Sequence, residues 1–198
     1  MRKALVVSLL TLGLFVVTVP AQAALLTYEA VLSGANEAIP NGSPGTGIAF
    51  VTIDDIAQTM RVEVTFADLT APAGSAHIHC CTAVPGTGTA GVATVTPTFP
   101  GFPAGVSGTY DVTFDLLDAG SYNPAFVNAN GLSVDGARAA LLSGLALGRA
   151  YFNIHTDNYP AGEIRGFLEP VDTSVPEPAT LALVGLGLAG ALARRTRR

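Results

Sequence analysis

Met60-Arg61-Val62-Glu63-Val64-Thr65-Phe66 alternates apolar and polar side chains without a break. A strand sends successive side chains to opposite faces, so a period of two puts Met60, Val62, Val64 and Phe66 on a buried face and Arg61, Glu63 and Thr65 on a wet one. Tyr110, Val112, Phe114 and Leu116 repeat the pattern against Asp111, Thr113 and Asp115. Half-buried antiparallel strands carry this signature. On either side, residues 26–32, 47–53, 76–81, 149–156 and 163–169 are also β-like and are separated by Gly, Pro and Asn clusters. About seven to nine short strands predict an all-β domain, an antiparallel Greek-key sandwich or barrel. Two stretches break the pattern. Residues 134–147 are rich in Ala and Leu and follow Ser133, a good N-cap, while Asn123-Pro124-Ala125-Phe126 opens another helical turn; both belong in a crossover beside the strands. Residues 84–105 are crowded with Pro and Gly and predict a long surface loop, the kind of segment on which β scaffolds carry function.

The two ends decide the compartment. Arg2 and Lys3 precede an apolar run over residues 4–19, and Pro20 leads into Ala21-Gln22-Ala23. That order predicts a signal peptide over 1–23, removed after Ala23; an uncleaved anchor is the alternative, and the short apolar run argues against it. At the other end come Pro176-Glu177-Pro178, an uncharged run over 179–193, and Arg194, Arg195, Arg197 and Arg198. As a helix that run reaches only about 22 Å, a marginal membrane span suited to a temporary stay. Basic residues lie outside both apolar runs, so the positive-inside rule leaves both charged ends in the cytoplasm and the intervening domain across the membrane. The tail resembles the PEP-CTERM sorting signal of exopolysaccharide-producing Gram-negative bacteria. The resemblance implies recognition by an exosortase-type processing enzyme, a transient C-terminal membrane anchor, and delivery to the cell surface or extracellular matrix. The expected divisions are a signal peptide (1–23), a β domain (24–170), a linker carrying Pro-Glu-Pro (171–178), a transmembrane sorting helix (179–193) and an Arg-rich cytoplasmic tail (194–198).

With the ends set aside, four arginines face fourteen carboxylates over residues 24–173, a formal charge of −10. A body this acidic repels phosphate backbones and excludes nucleic acid as a partner class. Cys80 and Cys81 are adjacent and cannot close a stabilising loop. The pair reads as a free, metal-assisting thiol, a vicinal disulfide, an intermolecular bridge or two small buried hydrophobes.

The chain has three histidines. In Ala76-His77-Ile78-His79-Cys80-Cys81, a strand puts His77, His79 and, if it continues, Cys81 on one face. Two imidazoles so spaced, joined by His155 from a neighbouring strand, can hold one Cu or Zn ion, to which Glu163 can add an oxygen. The competing reading gives each histidine an ordinary hydrogen bond to a carbonyl or carboxylate. Gly86-Thr87-Gly88-Thr89-Ala90-Gly91 fits a dinucleotide fingerprint but leads into no helix, and no serine lies in a nucleophile elbow. No catalytic set assembles, so an enzyme is not expected and no cofactor is required, Cu or Zn being the one candidate.

His77-Ile78-His79, a Gly-rich loop, the Gly108-Thr109-Tyr110 strand, Asn153-Ile154-His155-Thr156 and Gly162-Glu163-Ile164-Arg165-Gly166 together resemble the CHRD domain, named after its repeats in chordin, over most of the mature chain. The resemblance implies an extracellular β domain and marks Asn153, His155, Gly162, Glu163, Arg165 and Gly166 as its motif residues. Read from the residues alone, Glu163 and Arg165 share a strand face and can pair with each other or across the sheet, Ile164 fills the core, and the glycines allow close backbone approach. The expectation is an exported surface or matrix protein whose domain binds exopolysaccharide, another surface protein or a metal ion.

Overall fold

The computed structural model describes residues 25–171; the signal segment and the tail from residue 172 onward, with their expected helices and the Pro176, Glu177, Pro178, Arg194 and Arg195 signal, lie outside the described residues. The strands are β1 (Leu25–Ser33), β2 (Thr46–Asp54), β3 (Thr59–Ala67), β4 (Ala73–His79), β5 (Gly108–Asp115), β6 (Tyr151–Thr156), β7 (Ile164–Phe167) and β8 (Glu169–Pro170). Helices α1 (Pro124–Ala129) and α2 (Val134–Ala146) fall between β5 and β6. Each begins at the expected cap: Asn123 Oδ1 accepts from Ala125 N and Ser133 Oγ from Gly136 N.

All eight strands join one antiparallel sheet in the order β4-β6-β7-β1-β2-β3-β5, with β8 added beside β1. This corrects the expected sandwich or barrel: the sheet is an open half-barrel, and its end strands β4 and β5 do not pair. The alternation that suggested two stacked sheets requires only that one face be covered, and here the cover is not a second sheet. Leu141 and Leu145 of α2 and Phe99 of the Pro/Gly-rich segment are fully buried with Met60, Val62, Ile78, Phe152 and Ile154 of the sheet.

Residues 84–105 therefore do more than line the surface. Phe99 stacks near Phe152 at 5.9 Å, and Phe102 stacks on Phe66 at 5.4 Å, bridging the two ends of the open sheet. The same segment satisfies the outer edge of β4, where Cys80 N, Ala93 N and Phe99 N donate to Gly91 O, Ile78 O and Ala76 O. An edge strand left bare would invite pairing with another chain. On the face away from the core, the β4–β6–β7–β1 register lines up His77, Asn153, Arg165 and Ser33 in one row across four strands. Among the described residues no helix is long and apolar enough to cross a membrane.

Candidate functional site

His77 and His79 leave β4 on one face, and His155 leaves β6 on the same side. Their ring centroids are 5.2 Å (His77–His79), 4.9 Å (His77–His155) and 5.7 Å (His79–His155) apart. One nitrogen from each lies within 4.8 Å of the others. His77 and His79 are buried and His155 half-buried.

Two of the rings are turned by backbone carbonyls. Ala90 O lies 2.9 Å from His79 Nδ1 and Pro160 O lies 3.1 Å from His155 Nδ1. A carbonyl only accepts, so both Nδ1 atoms carry the proton and both Nε2 atoms present bare lone pairs. Pro97 offers a backbone hydrogen bond to the His77 ring. His77 Nδ1, His79 Nε2 and His155 Nε2 are buried and have no hydrogen-bond partner. Burial, reinforced by the other two imidazoles, pushes His77 down to about 3. Burial also takes His79 down to about 4 and lowers His155. All three are neutral at neutral pH, the form that binds metals.

Cys81 does not join them. β4 ends at His79, so the two-residue period does not carry on to Cys81. Its sulfur is bonded to Cys80 in a vicinal disulfide, and no free cysteine is present among the described residues. Both sulfurs lie at the Ala140 carbonyl of α2 and would overlap any side chain at Gly144.

Glu163 is also elsewhere. Its fully buried carboxylate accepts from Ser43 Oγ (2.6 Å), Thr70 N (2.7 Å) and Thr156 Oγ1 (2.5 Å). Burial raises its pKa, but the donors outweigh burial and hold the carboxyl below its usual range. It ties three separate segments together and does not pair with Arg165.

Arg165 instead finds Glu37, at 3.8 Å between Nε and Oε2, with both side chains buried. Its guanidinium donates to Asn36 O (2.6 Å) and Gly88 O (3.1 Å) and lies 4.8 Å from the centroid of the Tyr151 ring. Burial drives Glu37 up to about 7 despite the guanidinium. Asn153, opposite both His77 and Arg165, is buried with Oδ1 unpartnered. Gly162 and Gly166 are required by contact. At Gly162, where φ is +131°, a Cβ would strike the Asn153 amide and Glu37 Oε1; at Gly166 it would strike the Val31 carbonyl. Ile164 is fully buried, as its place in the motif predicts. Glu37 was not legible in the sequence, where nothing near it announces a buried acid. A surface hollow of about 820 Å³ opens beside this pair, lined in part by Glu29, Glu37, Gly88, Arg165, Phe167 and Glu169.

Fold and site together define an antiparallel β domain carrying a buried three-imidazole cluster on one face of an open sheet. Residues 28–168 match the CHRD domain, and the chain belongs to that family. Residues 174–198 match the PEP-CTERM protein-sorting motif, which marks an exported protein with a C-terminal membrane anchor, processed by an exosortase-type enzyme. No curated protein and no solved structure matches the chain.

Proposed function

We propose that this exosortase-sorted protein is a binding module of the cell surface or matrix, not an enzyme, and that its CHRD domain holds one Cu or Zn ion through His77, His79 and His155. The observation that carries the reading is that one nitrogen of each ring lies within 4.8 Å of the others, that each histidine keeps a buried ring nitrogen without a partner, and that carbonyls hold His79 and His155 by their Nδ1 side. If these histidines served only as hydrogen-bond donors, burying three bare lone pairs together would gain nothing and cost desolvation. Neutral imidazoles suit Cu and Zn, carbonyl partners on the far nitrogens are the usual orienting contacts, and three protein ligands leave one position open.

In this reading the domain faces the periplasm while the tail holds it in the inner membrane, and the surface or matrix receives it once the tail is cut. Exopolysaccharide or another surface protein is then the neighbour available to its acidic exterior. Protein exported to the periplasm should carry one equivalent of Cu or Zn, and the His77→Ala/His79→Ala double variant should carry none. Protein without stoichiometric metal, indistinguishable from the double variant, overturns the reading.

A further inference from the structure

Five buried side-chain polar atoms among the described residues lack a hydrogen-bond partner: His77 Nδ1, His79 Nε2, His155 Nε2, Asn153 Oδ1 and Glu37 Oε1. Four belong to the paired strands β4 and β6, and the fifth meets them at Gly162. Asn153 stands opposite His77 in the β4–β6 register, and His155 follows it two residues later on the same face. His79 pairs with Tyr151 and His155 with Ser75, on opposite sides of the His77–Asn153 pair, yet their rings approach to 5.7 Å. The imidazoles therefore lean inward over the His77–Asn153 pair. The Asn153 amide and Glu37 Oε1 crowd the same point at Gly162, 2.6 to 2.8 Å from where a Cβ would stand. A buried acceptor left without a donor is costly, so five on neighbouring elements call for a shared occupant.

A cation accounts for the three nitrogens and leaves two oxygens unmet. Both oxygens are acceptors, and a three-imidazole metal keeps a fourth position. We propose that this position takes a protic oxygen ligand, water in the resting protein, whose two O–H bonds point to Asn153 Oδ1 and Glu37 Oε1. The inference rests on the metal reading above and makes Asn153 and Glu37 positioning residues. The donor count closes: the water oxygen gives a lone pair to the metal and its two hydrogens meet the two acceptors. Arg165, beside the other Glu37 oxygen at 3.8 Å, holds that carboxyl in place.

The test uses the full chain, purified in detergent and loaded with Cu(II), studied by pulsed electron paramagnetic resonance in H2O and in D2O. The wild type should show imidazole nitrogen couplings together with an exchangeable proton coupling that D2O replaces by deuterium. Asn153→Leu should keep the nitrogens and lose at least half of the deuterium signal, and Asn153→Asp, which retains an acceptor, should restore it. A wild type with the nitrogens but no exchangeable coupling overturns the inference and leaves the metal reading standing; it is also the result if a protonated Glu37 simply donates to Asn153. An unchanged signal in Asn153→Leu overturns it too. Absence of nitrogen couplings from the wild type overturns the metal reading itself and the water with it. Should Asn153→Leu fail to fold, the Arg165→Met/Glu37→Leu double variant takes its place: loss of at least half of the deuterium signal with the nitrogens kept supports the inference, and an unchanged signal overturns it.

Discussion

The phenol ring of Tyr151 lies flat on the imidazole of His79, centroids 4.7 Å apart and planes 6° from parallel. Arg165, on the strand beyond, is centred 4.8 Å from the same ring. One aromatic side chain thus joins the histidine cluster to the buried Arg165–Glu37 pair, and disturbance of either should be felt by both.

Removing Arg165 should be costly. Arg165→Met leaves Glu37 buried without its cation and frees the Asn36 and Gly88 carbonyls, so a loss of about 3–5 kcal/mol is expected. Adding Glu37→Leu removes the stranded carboxyl and should recover part of that loss. Urea unfolding of both variants measures the difference, and a single variant as stable as the wild type would show that the pair contributes nothing.

Acid should destabilise the metal-free protein through its imidazoles. Above the unfolded value of 6.5 both states are neutral and nothing is lost. As pH falls below 6.5 the unfolded chain takes up protons that the folded protein refuses, down to about 4 for His79 and about 3 for His77. Each buried imidazole contributes at most about 1.4 kcal/mol per pH unit in that window. Glu37 works the other way: its raised folded value gives stability present below 4.5 and lost as pH rises through about 7. Three imidazoles outweigh one carboxyl, so urea midpoints should fall from pH 6.5 to pH 4, and less steeply in His77→Asn. A flat profile contradicts neutral burial.

Glu163 should behave as a clamp and not as a ligand. Glu163→Ala abandons the donors of Ser43, Thr70 and Thr156, and hydrogen bonds to a buried charge are worth about 1.5–3 kcal/mol each, though not additively. Its folded pKa is depressed, so its contribution is present above 4.5 and lost as pH falls through the folded value. The variant should therefore lose several kcal/mol at pH 7 and less in acid, while Zn bound per chain, read on the fraction still folded, stays at the wild-type level. A drop in that ratio would return Glu163 to the metal.

Alternation exposed the strands because each buries one face of a sheet, and that is a local property. Sheet order was not legible in the same way: β4 leaves the β1–β2–β3 meander and pairs with β6, a choice made by distant partners. Gly and Pro dominate residues 84–105 in sequence, but the rings of Phe99 and Phe102 decide where that segment lies. His77 and His79 were readable from a spacing of two, and His155 from being the third histidine. Cys81 would share their face only on a continuing strand, and β4 stops at His79. Glu37 is defined by Arg165, far along the chain, and no local pattern encodes such a pairing.

Gly144 supplies a last case in which position overrides propensity. It lies inside α2, where alanine should ordinarily be about 1 kcal/mol better than glycine. A Cβ at that point would overlap both sulfurs of the Cys80–Cys81 disulfide, which are braced against the helix backbone at Ala140. Overpacking of a fitted contact costs about 1–3 kcal/mol, so Gly144→Ala should destabilise the oxidised protein despite the gain in helix propensity. Gly136→Ala serves as an internal comparison with a different obstacle, since its Cβ would meet the Asn130 carbonyl and no sulfur. Replacing both cysteines with alanine removes the sulfurs and should abolish the penalty at Gly144 alone, leaving the one at Gly136 in place. Urea midpoints of the wild type and each glycine variant, with and without the cysteines, read this directly, and a Gly144→Ala variant more stable than the wild type would mean that the disulfide does not press on α2.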